Sequence, residues 1–93
     1  MRACVFLADG FEEIEGLTVV DILRRAGVET QTVSITERRL VTGSHQIPVT
    51  ADSCIKETDF SEAELLVLPG GMPGTLHLLD HAAVNEVIKK FAG

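Results

Sequence analysis

Two short, unbroken apolar runs constrain this chain more than any other feature. Residues 3–8 read ACVFLA and residues 65–68 read LLVL. Turn-forming residues cut both off, Asp9-Gly10 after the first and Pro69-Gly70-Gly71 after the second. A brief apolar run bounded by such breaks is the pattern of a β-strand covered on both faces. Strands of that kind belong to parallel sheets with helices on either side, so an α/β fold is expected.

The remaining segments agree with this. Residues 12–26 take on helical spacing through Ile14, Leu17, Val20 and Leu23. Glu12, Glu13 and Glu15 fall in the first turn and Arg24-Arg25 in the last, both favourable to the helix dipole. Gly27 follows, where a left-handed cap is expected. Residues 28–35 alternate and are rich in Val and Thr, which predicts a second strand. Residues 40–50, LVTGSHQIPVT, read as two short strands around Gly43-Ser44, with Pro48 keeping its strand near an edge. Residues 51–64 are polar and read as irregular, with room for one helical turn. Asp80 suits the N-cap of a last helix over residues 81–92, with Val84, Val87, Ile88 and Phe91 on one face.

Composition narrows the function classes. With 93 residues the chain amounts to at most one small domain. Eight basic against fourteen acidic residues give a net charge of −6, without the basic footprint that a phosphate backbone demands. Nucleic-acid binding is therefore disfavoured. The apolar runs are too short for a membrane span, and Asp9 interrupts the first too early for a signal peptide. Two cysteines, Cys4 and Cys54, do not make a disulfide framework. A reducing, cytoplasmic setting is the expectation.

Ligands in open α/β sheets bind outside the carboxyl ends of the strands. Two loops leave such ends here, residues 9–15 and residues 69–74. In the second, the amides of Gly70 and Gly71 could stabilise an oxyanion, or the glycines could simply make a tight turn. In the first, Glu15 stands beside a strand end. Partly buried there, it could move a proton; otherwise it is a solvated acid favoured by the helix dipole. Nothing distinguishes Glu12 and Glu13 from ordinary N-terminal helix acids. His77 and His81 are spaced i, i+4, but no third ligand is evident and Asp80 would put a helix boundary between them, so no metal site is expected. His45 lies in a turn near Gly43, where it could face the crevice or an interface; an exposed loop histidine is the expectation. Cys4 falls mid-strand as a small hydrophobe, and Cys54 lies in a polar segment; neither has the surroundings of an activated nucleophile.

These two loops also carry a resemblance. ACVFLADGFEEIE followed by DILRRAGVET is similar to the start of the ThiJ/PfpI, or protein deglycase, family. ELLVLPGGMPG resembles that family's strand and glycine turn, and VTGSHQIPVTAD its hairpin region. The match runs over essentially the whole chain, and G-x-E-E-x-E paired with L-P-G-G is far more specific than either motif alone. It implies a flavodoxin-like, mainly parallel sheet sandwiched by helices, and usually a homodimer. It implies a reactive cysteine on a strand-to-helix elbow, with Glu15 matching the acid that bonds the sulfur and Gly70 and Gly71 matching the turn that faces the oxyanion. It also implies cofactor-free glyoxalase or deglycase chemistry on methylglyoxal-type carbonyls. Redox-sensing, chaperone-like and thiazole monophosphate biosynthesis labels occur in the family as alternatives. His45 stands where several relatives carry an arginine near the dimer interface.

The family's nucleophile follows a strand reading roughly A-A-I-C-A, just after the helix that here ends at residue 93. Neither Cys4 nor Cys54 matches it. Residues 1–93 are therefore expected to be the N-terminal part of a single such domain, its sheet incomplete. The expected partners are a small carbonyl substrate and either a second copy or the missing C-terminal half.

Overall fold

The computed structural model describes residues 2–69 and 82–92, with the backbone alone for residues 90–92. In chain order the elements are β1 (Arg2–Leu7), α1 (Glu13–Arg25), β2 (Glu29–Ser34), β3 (Leu40–Thr42), β4 (Pro48–Thr50) and β5 (Ser53–Cys54). A single 3-10 turn (Ile55–Glu57), β6 (Leu65–Val67) and α2 (Ala82–Ala92) follow. Four strands form one sheet in the order β5-β2-β1-β6, with every pairing parallel. The β3-β4 ribbon is antiparallel and separate, with Val41 opposite Val49 and Thr42 opposite Pro48. This is the α/β sandwich that the apolar runs predict.

Strand β1 shows why a continuous apolar run is needed. Successive side chains point to opposite faces, so each face takes every second residue. Cys4, Phe6 and Ala8 pack with Val33, Ile35, Ile55 and Val84 of α2. Val5 and Leu7 pack on the other face with Phe11, Val20 of α1, Val41 and Ala51. Residues 3–8 are all fully buried. Phe6 also meets Phe60, with ring centroids 5.7 Å apart.

Helix α1 starts on an unusual cap, Glu12, whose carboxylate accepts from the Ile14 N–H at 3.2 Å. It ends as expected. Gly27 takes φ 81°, and the Val28 N–H returns to the Leu23 carbonyl at 3.0 Å. Its buried stripe differs from the apolar spacing. Glu13, Gly16 and Val20 face inward, whereas Ile14 is 76% exposed and Leu17 is also exposed. The helix is turned so that Val20, with Val19 and Leu23 beside it, meets the sheet while Gly16 lies close to Phe11 and Pro69, leaving Ile14 and Leu17 outside.

Two further expectations are corrected. Residues 51–64 are not merely irregular: Ser53 and Cys54 form β5, pairing with Val33 and Ser34, and Cys54 is buried. A two-residue strand of Ser and Cys carries no period to read. Leu65 and Leu68 are exposed, not buried on both faces, because β6 is the last strand of the described sheet and has β1 on one side only. The last helix packs through Val84, with Val87 and Ile88 beside it, as its spacing predicts; the proposed cap Asp80 and the side chain of Phe91 lie outside the described residues.

Candidate functional site

β1 and β6 are parallel neighbours, with Val5 opposite Val67. Their carboxyl ends therefore open on the same edge of the sheet, as the crevice rule requires. Beyond β1 the chain turns through Gly10 at φ 87°, a backbone conformation that glycine adopts at little cost. The Phe11 N–H closes the turn onto the Ala8 carbonyl at 3.0 Å, and α1 begins two residues later.

Gly16 fixes how closely the two strand ends approach. A Cβ built there would lie 3.0 Å from Phe11 Cδ2 and 3.6 Å from Pro69 Cγ. The first turn of α1 thus runs close beside Pro69, the residue that leads into Gly70. Glu15 precedes Gly16 on this turn. It is exposed among the described residues, so the partial burial considered for it is not present in this chain. Gly70 and Gly71, together with His77 and His81, lie outside the described residues.

The buried acid is Glu13, although nothing in the sequence sets it apart from ordinary N-terminal helix acids. It is 3% exposed. Its carboxylate accepts from the His45 N–H at 2.8 Å, His45 Nδ1 at 3.0 Å, the Ile47 N–H at 3.3 Å and Ser44 Oγ at 3.4 Å. Burial alone would raise its pKa. The His45 ring and the backbone donors of Glu13, His45 and Ile47 outweigh that and hold it at about 2. Gly43 is required for this packing, since a Cβ at that position would overlap the Glu13 carboxyl group. Any larger residue would push the carboxylate off its donors.

His45 is exposed, as expected, but it is not idle. Besides Glu13, its Nδ1 lies 3.8 Å from Glu12 Oε1. Glu12, Glu13 and His45 place ligand-type atoms within 4.8 Å of one another. Both Glu13 oxygens are already taken by hydrogen-bond donors, so the group acts as a clasp between α1 and the β3-β4 turn. The signal that could have found it was the Gly43-Ser44 turn itself: a carboxylate that neutralises a turn's free amides must come from a segment packed under it.

The thiols have no part in this site. Cys4 is fully buried in β1, and burial, only partly offset by Arg2, pushes its pKa up. Cys54 caps the 3-10 turn, its backbone N–H donating to Glu57 at 3.0 Å.

The arrangement of β1, the G-x-E-E-x-E turn and the parallel β6 matches a known family along its length, since the family model described as DJ-1/PfpI aligns with residues 1–93. The chain belongs to the DJ-1/PfpI family. It is 33% identical to the Parkinson disease protein 7 homolog of Danio rerio over 93 residues, covering 99% of this chain and 49% of that protein. It is 33% identical over 91 residues to a deglycase of Thermococcus kodakarensis, covering 98% of this chain and 54% of that protein. Among solved structures, a DJ-1 superfamily protein of Salmonella typhimurium superposes with a TM-score of 0.93 at 36% identity, covering 98% of this chain and 49% of that one. Oxidized DJ-1 of Toxoplasma gondii gives a TM-score of 0.91 at 34% identity, covering 96% and 48%. The chain thus spans about half the length of these relatives. The fold is the flavodoxin-like one that the resemblance implies. No helix among the described residues is long and apolar enough to cross a membrane.

Proposed function

We propose that this chain supplies the N-terminal part of a cofactor-free, cysteine-dependent glyoxalase or deglycase site for methylglyoxal-type carbonyls. The supporting observation is the closeness of Pro69 to Gly16 on the first turn of α1, the turn that carries Glu15. Relatives of Thermococcus kodakarensis and Pyrococcus abyssi are named deglycases, which supports the deglycase part of this reading. The attacking sulfur comes from outside these residues: Cys4 is fully buried mid-strand in β1, and Cys54, at the end of β5 beside Ser34, is buried on the far side of β2 from β1 and β6. The thiol gives its proton to Glu15, and the sulfur adds to the aldehyde carbon. The carbonyl π pair moves to oxygen, where the amides of Gly70 and Gly71 stabilise it. Glu15 then returns the proton to that oxygen, giving a neutral hemithioacetal.

The partner in this reading is the segment carrying the sulfur, either the C-terminal half of the domain or a second copy. Its place is the open side of β6, where exposed Leu65 and Leu68 leave an edge that pairing would cover. Methylglyoxal disappearance, followed for the chain alone and for the chain joined to a C-terminal half, tests the proposal. The chain alone should leave the substrate unchanged and the joined protein should consume it. Consumption at an ordinary enzymatic rate by the 93 residues alone would overturn the reading.

A further inference from the structure

We propose that the turn over residues 43–47 is a pH-dependent latch on the loop between β1 and α1: protonated His45 holds it shut against Glu13 and Glu12, and neutral His45 lets it open. The inference is independent of the chemistry proposed above. It rests on what the turn holds and on what opposes it.

The turn grips the loop at several points. The Gly10 N–H donates to the Thr42 carbonyl and the Ser44 N–H to the Phe11 carbonyl, both at 2.8 Å. The Thr42 N–H donates to Asp9 Oδ1 at 3.0 Å. The amides of His45 and Ile47 and the His45 ring close onto buried Glu13. One feature pulls the other way. Gln46 sits at φ 67°, a left-handed conformation that a non-glycine residue adopts at a cost. A turn that is strained at one residue and clasped at the next is poised to respond to a change in the clasp.

His45 is the part of the clasp that titrates near neutrality. The groups facing it are Glu12 and Glu13 from α1 and Ser44 Oγ from its own turn, at 3.8, 3.0 and 3.1 Å, with Asp9 beneath the turn. Both charged partners of the ring are acidic, so a proton on His45 converts a hydrogen bond into an ion pair. The Glu13 hydrogen bond, then the charges of Glu12 and Glu13, raise the His45 pKa above its ordinary value of 6.5, against a smaller opposing effect of burial. A raised histidine contributes its stabilisation in full below that ordinary value and loses it as pH climbs through the folded one. Glu13, held at about 2 against an ordinary 4.5, contributes above 4.5 and loses its part as pH falls towards 2. The latch is therefore tightest between these two ordinary values and loosens as pH rises through the raised His45 value.

Amide hydrogen exchange in the protein, corrected for the intrinsic pH dependence of exchange, tests this between about pH 5.5 and pH 8.5. Protection at His45 and Ile47 should fall across that range while protection in β1 and β2 stays level. His45→Gln should remove the pH dependence and leave the core protected. His45→Lys, which keeps its charge throughout, should hold the turn protected at both ends of the range. Constant protection at residues 45 and 47 in the unaltered chain would overturn the latch, as would the same fall in His45→Lys.

Discussion

Glu15→Gln should lower methylglyoxal turnover by about a hundredfold or more in a protein that joins this chain to the sulfur-bearing segment, a typical worth of general acid–base catalysis. The amide keeps the size and hydrogen-bonding reach of the carboxyl group but cannot accept and return a proton. Glu15 is exposed on the first turn of α1, with no place in either core cluster. The substitution should therefore leave the thermal midpoint almost unmoved, since surface changes of this kind usually fall within about 0.5 kcal/mol. Steady-state kinetics and a melting curve on the same preparation separate the two effects. Full activity in the variant would remove Glu15 from the mechanism. Lost activity accompanied by a lost fold would show a structural role instead.

The second large effect concerns the core. Phe6→Ala should destabilise the chain by about 3–5 kcal/mol, the range for truncating a buried aromatic residue. Phe6 is fully buried, contacts Phe60 and belongs to the cluster that joins β1, β2 and α2. Even a whole domain has a net stability of only about 5–15 kcal/mol, so a loss of this size should unfold much of the population. Ile14→Ala is the matching control. Ile14 is just as apolar but 76% exposed, and its loss should shift the urea midpoint very little. A urea titration that ranks the two substitutions the other way would mean that α1 is rotated about its axis.

That contrast also marks how far the sequence could be read. The strands were legible wherever one physical constraint acted along a whole element. Residues 3–8 had to be apolar throughout because both faces of β1 are covered. Gly27 was legible because a helix end needs a left-handed residue. The rotation of α1 was not legible. Its helical spacing suits more than one face, and Gly16 wins the inward position by letting Phe11 and Pro69 come close, a contact between distant segments. Glu13 was hidden for the same reason. A carboxylate in a first helical turn is usually solvated, and only the return of the chain at Ser44, His45 and Ile47 supplies donors enough to bury it. As for the site, Glu15 was found through motif and resemblance rather than environment, and its exposure in this chain differs from the burial considered for it. β5 was missed because two residues cannot display a period.

Chemistry at this site requires the loop after β1 and the bend after β6 to face one another across one opening. Nuclear Overhauser contacts from the amide protons of Gly70 and Gly71 measure this without recourse to activity. Contacts to Glu15 and Gly16 on the first turn of α1 are the predicted result. Contacts confined to the opposite end of the sheet, around Arg2 and Glu64, would contradict it.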